Sequence, residues 1–132
     1  MIAASAFAQD SPVAYRVVGD AIPVSLTGLA GDASRGRQVV IGRDSNCTLC
    51  HAVPDVRAAG DIGPPLAGVG ARWNAGQLRL RLVDSTRLNP ATVMPAYYRI
   101  DGLTRVASAY QGKTVLSADQ IEDAVAYLLT LK

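Results

Sequence analysis

The sequence predicts a single, mostly α-helical domain, and three observations support this fold class. Two segments begin with the residue pair of a capping box, Asn74 with Gln77 and Ser117 with Gln120. Apolar residues follow each pair at helical spacing, whereas the alternation typical of strands is weak. The 132 residues show no break in composition, which is the length of one domain. Loops rich in glycine and proline are expected to join the helices.

The first part of the chain lacks helical signals. Residues 1–8 resemble the remnant of a secretory signal peptide, because Ala6-Phe7-Ala8 has the small residues of a cleavage site. Residues 9–31 contain Pro12, Pro23 and several glycines, and we interpret them as an extended N-terminal arm. We expect this arm to pack on the core or on a partner. Residues 32–132 form the predicted domain.

The two ends of this domain are predicted to be helical. Asp32 can cap a first helix, which ends at Gly42. Ser117 caps a last helix close to the C-terminus, whose apolar residues follow at helical spacing: Ile121, Ala124, Val125 and Leu128.

A third helix is predicted in the middle of the domain. It starts at Asn74, carries Leu78 and Leu82 on one face, and ends before Asn89-Pro90. We expect its two arginines, Arg79 and Arg81, to point elsewhere. The preceding residues 58–70 are rich in glycine and proline and predict a loop.

The pentapeptide Cys47-Thr48-Leu49-Cys50-His51 is the most informative motif. Two cysteines three residues apart, followed at once by a histidine, form the attachment pattern of a c-type haem. Residues at this spacing are neighbours on one helical turn, so both sulfurs can reach the vinyl groups of one porphyrin. The motif predicts one haem c, bound covalently through Cys47 and Cys50, with His51 as the proximal ligand of the iron. A haem would also supply bulk to a core in which aromatic residues are only 5% of the chain.

Three other interpretations of the cysteines are weaker. A disulfide between Cys47 and Cys50 would close a very short loop and stabilise little. A thioredoxin-like redox pair belongs in a βαβ unit, and the upstream residues 33–41 lack that alternation. A closed zinc site needs four ligands, and two cysteines with one histidine are one ligand short.

Met94 is the candidate for the second axial position of the iron. The chain has no second histidine and no third cysteine, and Met94 is its only methionine apart from the first residue. Methionines more often fill gaps in a core. Here, Asn89-Pro90 and Pro95 place Met94 in a stiff loop instead of an amphipathic helix. A thioether ligand raises the reduction potential and closes the coordination shell, as expected for electron transfer.

Four further residues are candidates for the surroundings of the haem. A backbone carbonyl of Gly63-Pro64-Pro65-Leu66, with Pro64 as the candidate, is expected to fix the second ring nitrogen of His51. Arg72 and Trp73 are placed to reach the haem propionates, although a solvated arginine and a core tryptophan explain them equally well. Tyr97 could line the methionine side of the haem, but ordinary core packing is the favoured explanation for it.

Composition and charge exclude several partners. The formal net charge is only +2, and the arginines are spread along the chain, so no nucleic-acid surface is expected. No apolar run is long enough to span a bilayer. Because haem c is attached outside the cytoplasm in bacteria, we expect the protein to be periplasmic.

These motifs together resemble the SoxX family, the mono-haem subunits of the SoxAX cytochromes of bacterial thiosulfate oxidation. The pentapeptide alone is shared by c-type cytochromes in general, and the segment Met94-Pro95-Ala96-Tyr97-Tyr98 after Leu88-Asn89-Pro90 is the more specific part. The other matching segments are Gly31-Asp32, Arg35-Gly36-Arg37, Gly60–Pro64, Gly68–Trp73 and Ile121–Leu128. The doubled proline Pro64-Pro65 departs from the single proline of the family pattern, which leaves the carbonyl partner of His51 open.

The resemblance implies a class I cytochrome c-like fold around one covalently bound haem, with His51 and Met94 as the axial pair. It implies a heterodimer with a SoxA-type cytochrome of one or two haems. Such a complex couples thiosulfate oxidatively to a cysteine of the carrier protein SoxYZ, as an S-thiosulfotransferase-type oxidoreductase. The SoxX-like subunit would have no open catalytic site and would pass electrons to a soluble cytochrome c.

Two other functions remain open from the sequence. The first is a free-standing soluble mono-haem cytochrome c that shuttles electrons without an obligate partner. The second is a thiol-disulfide oxidoreductase with Cys47 as nucleophile, which a visible absorption spectrum would distinguish at once.

Overall fold

The computed structural model describes residues 12–57 and 59–132. Within them, the α-helices are α1 (Ala33–Ile41), α2 (Val69–Arg72), α3 (Ala75–Asp84) and α4 (Ala118–Thr130). Short 3₁₀ turns span Cys47–Leu49, Ser85–Arg87 and Ser108–Tyr110. The only β pairing in the described part is a single bridge between Val18 and Ala21. The prediction of a mostly α protein is confirmed. The predicted signal-peptide remnant, residues 9–11 of the arm and Ala58 lie outside the described residues.

The three longer helices begin where the polar side chains predicted them to begin. The short α2 was not predicted: it starts at Val69, within the loop expected over residues 58–70, and no side chain caps it. The Asp32 carboxylate accepts a hydrogen bond from the Arg35 N–H at 2.8 Å and caps α1. Both capping boxes are present, Asn74 with Gln77 on α3 and Ser117 with Gln120 on α4. The middle helix also ends before Asn89-Pro90, since α3 stops at Asp84 and a 3₁₀ turn follows.

Helices α1 and α4 cross in close contact, and a glycine makes this possible. A Cβ added to Gly36 of α1 would overlap the Asp123 carbonyl and lie 2.9 Å from the Tyr127 Cβ of α4. The two backbones could not approach this closely with any larger residue at Gly36. The crossing joins the two ends of residues 32–132, and Val40 of α1 is buried in the core.

The N-terminal arm packs on the domain. Ile22 is 1% exposed and belongs to the core, and its N–H donates to the Gly76 carbonyl at the start of α3 at 2.9 Å. Leu26 is also buried, and its N–H donates to Glu122 of α4 at 3.0 Å. The arm therefore covers one side of α3 and one side of α4.

Helix α3 is buried on two sides. Leu80 and Val83 are fully enclosed, and Arg79 beside them forms a buried ion pair with Glu122. On the other side, Leu78 and Leu82 line a cavity. The expectation that Arg79 points away from Leu78 and Leu82 is confirmed.

The segment after Met94 is tied to α3 by backbone hydrogen bonds. The N–H groups of Tyr97 and Tyr98 donate to the carbonyls of Leu82 and Val83 at 3.1 and 3.2 Å. The Tyr97 carbonyl in turn accepts from the Leu116 N–H at 3.1 Å. This ladder holds the methionine loop across the cavity beside α3. Among the helices of the described residues, none is both long and apolar enough to cross a membrane.

Candidate haem site

Two cavities of about 380 Å³ each adjoin the cysteine motif. Five residues line both of them: Cys47, His51, Pro64, Thr92 and Met94. Arg72 and Trp73 line the first cavity, and Cys50 and Tyr97 line the second. All eight residues singled out from the sequence therefore meet around one divided space. Its volume and mainly apolar walls suit an organic ligand.

The motif itself is a compact turn. The N–H groups of Cys50 and His51 both donate to the Cys47 carbonyl, at 3.2 and 2.9 Å. The side chains of Cys47, Cys50 and His51 all line the second cavity. Burial raises the pKa of the Cys47 thiol, against a smaller opposing effect of a hydrogen bond with Ser45. A raised pKa is the opposite of what a nucleophilic cysteine needs, which weakens the oxidoreductase interpretation.

The loop before α2 is joined to the motif along its length. Three backbone N–H groups, of Gly60, Gly63 and Leu66, donate to the carbonyls of Thr48, Cys50 and Ala52 at 2.8, 2.7 and 2.9 Å. The loop therefore lies flat against the cysteine turn. Its conformation fixes what the His51 ring can contact.

His51 meets the Pro64 carbonyl, with 2.7 Å between Nδ1 and the oxygen. A carbonyl only accepts hydrogen bonds, so Nδ1 must carry the proton and donate. In a neutral imidazole this leaves the Nε2 lone pair unprotonated and able to bind a metal. The carbonyl partner of His51, which the doubled proline had left open in the sequence, is therefore that of Pro64.

Gly63 makes room for the His51 ring. A Cβ at this position would lie 2.6 Å from Nδ1 and 2.8 Å from Nε2 of His51. Real Cβ atoms do not approach other atoms this closely, so only glycine allows the ring to stand against the loop.

Met94 lies on a loop that crosses to the same cavities. Its N–H donates to Thr92 Oγ1 at 3.1 Å, which braces the backbone, and its side chain is partly buried. The sulfur lies 3.3 Å from Ser85 Oγ, close enough to accept a hydrogen bond from this hydroxyl. Imidazole and thioether therefore line the same space from two separate segments.

Arg72 and Trp73 occupy the wall of the first cavity in different ways. Arg72 donates through its two terminal nitrogens to the carbonyls of Ala67 and Pro65, at 3.0 and 3.1 Å. It thereby braces the loop that carries Pro64. Trp73 is covered by the guanidinium of Arg81, whose carbon lies 3.8 Å from the ring centroid.

Tyr97 is a wall residue of the second cavity with a buried hydroxyl. The hydroxyl donates to the Ser45 carbonyl at 2.5 Å, just before the cysteine turn. Burial raises its pKa far above the ordinary value, with smaller contributions from the two nearby cysteines. Tyr97 is thus neutral and packs as a structural residue, as favoured from the sequence, while it also lines the site.

The residues present fit a covalently bound haem. Two cysteines on one turn, an imidazole with a free Nε2, a glycine that leaves room for the ring and a thioether together form the donor set of such a site. Aliphatic residues of the surrounding helices and of the loop before α2 form the walls, among them Val40, Leu66, Val69, Leu78, Leu82 and Leu128. In the described residues no cluster of three or more histidine, cysteine or acidic side chains could hold a metal ion by itself.

Comparison with known proteins agrees with this geometry. The family model described as Cytochrome c matches residues 33–132. The chain belongs to the cytochrome c family. Membership of this family, together with the cysteine motif, confirms the prediction of one haem c and of a class I-like fold. A cytochrome c of this kind is an electron-transfer domain.

Two solved structures are similar to this cytochrome c. SoxXA from P. pantotrophus matches with 38% identity and a TM-score of 0.81, over 89% of this chain and 94% of that chain. This match confirms the resemblance to SoxX. The c-type cytochrome SorU from Sinorhizobium meliloti matches with 23% identity and a TM-score of 0.50, over 75% of this chain and 88% of that one. The second match supports the fold alone. A sequence search of curated proteins gave no match.

Sequence reasoning misplaced Arg81 and missed Ser85. Arg81 was expected to point away from Leu78 and Leu82, but it lines the first cavity with them. Residues three or four apart share a helix face, and Arg81 follows Leu78 by three, so the spacing contained this information. Ser85 follows Arg81 by four and continues the same stripe into the cavity. Burial lowers the pKa of Arg81, while Asp20 has the opposite effect.

Proposed function

We propose that this cytochrome c is the electron-transfer subunit of a heterodimeric SoxAX-type complex. The observation that carries the proposal is the 38% identity to SoxXA over 89% of the chain, which extends well beyond the haem motif. The partner would be a SoxA-type cytochrome of one or two haems.

In this proposal, Cys47 and Cys50 would hold the haem covalently, and His51 and Met94 would supply the nitrogen and the sulfur ligand of its iron. When bound, the haem supplies one-electron chemistry by alternating between ferrous and ferric iron. Pro64 keeps His51 in the tautomer that leaves Nε2 available, and Gly63 sets the distance between the ring and the loop. The Met94 thioether is a soft, neutral ligand that favours the ferrous state.

With both His51 and Met94 bound to the iron, a substrate would find no vacant position, so the chain alone would have no open catalytic site. The sulfur chemistry would belong to the complex. There, thiosulfate is joined to a cysteine thiol of a SoxYZ-type carrier, a sulfur–sulfur bond forms, and two electrons and one proton are released. The subunit described here would receive these electrons one at a time and pass them to a soluble cytochrome c.

The exposure of residues beside the second cavity supports electron transfer between this site and a redox partner. Three aliphatic side chains on the rim of the second cavity remain largely exposed: Leu49 at 62%, Ile62 at 69% and Val93 at 80%. Because these side chains both line the cavity and face solvent, a redox partner could approach the site without any rearrangement of the core. The location would be the periplasm, where haem c is attached.

Co-expression with a SoxA-type subunit in a host that matures haem c tests this proposal. We expect the two chains to elute together from size exclusion, and the assembled pair to reduce an added cytochrome c when thiosulfate and carrier protein are present. A chain that stays monomeric beside the SoxA-type subunit, but still exchanges electrons with soluble cytochrome c, would support the free-standing shuttle instead.

A further inference from the structure

Ser85 is a buried hydroxyl next to the sulfur of Met94. It is 7% exposed, begins the 3₁₀ turn after α3, and lines the first cavity. Its Oγ lies 3.3 Å from Met94 Sδ and 2.6 Å from the Arg81 carbonyl one turn earlier in the chain.

A serine hydroxyl has one hydrogen, so it can donate to only one of these two acceptors at a time. The bond to the Arg81 carbonyl is the ordinary contact of a serine at the end of a helix. The contact with Met94 differs, because thioether sulfur is a weak acceptor that seldom needs a partner. The contact is maintained by the backbone, because the N–H groups of Tyr97 and Tyr98 bind the end of α3 and so hold the Met94 loop beside the turn that begins at Ser85.

We propose that Ser85 is a positioning residue for the Met94 ligand. When its hydroxyl turns from the Arg81 carbonyl to Met94 Sδ, it orients the thioether and draws electron density from the sulfur. A sulfur depleted in this way donates less to iron, which destabilises the ferric state more than the ferrous state. Ser85 therefore raises the reduction potential of this cytochrome c. This inference rests on the proposed function, in which Met94 binds the iron.

The test compares holoproteins in which only the hydroxyl changes. Ser85→Ala removes the hydroxyl. Ser85→Thr keeps a hydroxyl, and Ser85→Val replaces it with a methyl group in a side chain of the same size. Thr130→Val is the control, because Thr130 Oγ1 also donates to a backbone carbonyl, that of Tyr127 at 2.6 Å, but lines neither cavity. Each protein is titrated against redox mediators, and the ferric thioether-to-iron charge-transfer band is recorded.

We expect Ser85→Ala to lower the potential, so that the ratio of reduced to oxidised protein at a fixed ambient potential falls severalfold. The potential of Ser85→Val should lie below that of Ser85→Thr, and the potential of Thr130→Val should match that of the unaltered protein.

An unchanged potential in Ser85→Ala, or equal potentials in the Val and Thr variants, would overturn the inference and leave Ser85 as a cap for α3. If the unaltered protein lacks the thioether band, Met94 is no ligand, and the proposed function and this inference fail together. If that band is present and the Ser85 variants do not shift the potential, only this inference fails.

Discussion

Arg79 and Glu122 form a two-pronged ion pair in the interior of the protein. Arg79 Nε and Nη2 each lie 2.8 Å from a different oxygen of the Glu122 carboxylate, and the two side chains are only 5% and 3% exposed. The same two groups hold the N-terminal arm. Arg79 Nη1 donates to the Ile22 carbonyl at 2.6 Å, and Glu122 accepts the Leu26 N–H. One buried pair therefore connects α3, α4 and the arm.

Glu122→Gln should destabilise the protein strongly. Glutamine keeps the shape and one acceptor but leaves the Arg79 guanidinium buried without a counter-charge. Breaking a buried pair in this way costs about 3–5 kcal/mol in the free energy of unfolding. Chemical denaturation of the holoprotein measures this cost. The double variant Arg79→Met with Glu122→Gln should recover part of the loss, since it removes the unpaired charge. A single variant that loses less than about 1 kcal/mol would show that water reaches the pair.

Asp123 should make stability depend on pH in the acid range. Burial acts to raise the pKa of Asp123, but hydrogen bonds from Arg35 and from the Asp32 N–H outweigh it, and the pKa lies below its ordinary value. A lowered folded-state pKa adds stability above the unfolded-state pKa, and this stability is lost as pH falls through the folded-state pKa. Asp123→Asn should therefore be less stable than the unaltered protein at neutral pH, and the difference should shrink in acid. Unfolding measured across this range would contradict the account if the difference stayed constant.

Gly63→Ala should damage the histidine side of the site. The added methyl group would overlap the His51 ring, so either the ring must turn away from the Pro64 carbonyl or the loop must move. We expect a loss of low-spin haem absorbance or a poor yield of holoprotein. Asp61→Ala is the control, because Asp61 is an exposed residue of the same loop. Identical spectra of the two variants would contradict this prediction, because they would show that the loop can move to accommodate the added methyl group without disturbing His51.

Met94→Ala should keep the haem attached and open the sixth coordination position. The cysteines and His51 remain, so the covalent bonds and the proximal ligand persist, while water or a small added ligand takes the vacant site. Val93→Ala serves as control, since Val93 is an exposed neighbour on the same loop. Absorption spectra with and without an added ligand such as imidazole measure the effect. A low-spin spectrum that does not change in Met94→Ala would show that Met94 only packs.

Much of the fold could be predicted because its signals are local. The three long helices begin at side chains that cap them, Asp32, Asn74 and Ser117, and such bonds involve residues within one turn. The haem motif is local as well. Met94 was singled out by elimination, since the composition offered no other soft ligand outside the cysteine motif.

The rest depended on contacts between distant segments. From the sequence, Arg79 was expected only to point away from Leu78 and Leu82, and its partner Glu122 lies 43 residues away in the chain, on α4. Arg72 was considered for the propionates, yet its terminal nitrogens donate to the carbonyls of Pro65 and Ala67, which no local pattern indicates. The role of Ser85 needed the fold of the loop that carries Met94.

Near-infrared magnetic circular dichroism of the ferric holoprotein tests the central claim most directly, because its bands report which atoms occupy the two axial positions of haem iron. The account predicts the signature of one imidazole nitrogen and one thioether sulfur, from His51 and Met94. A signature of two nitrogens, of a thiolate, or of iron with a water ligand would contradict it.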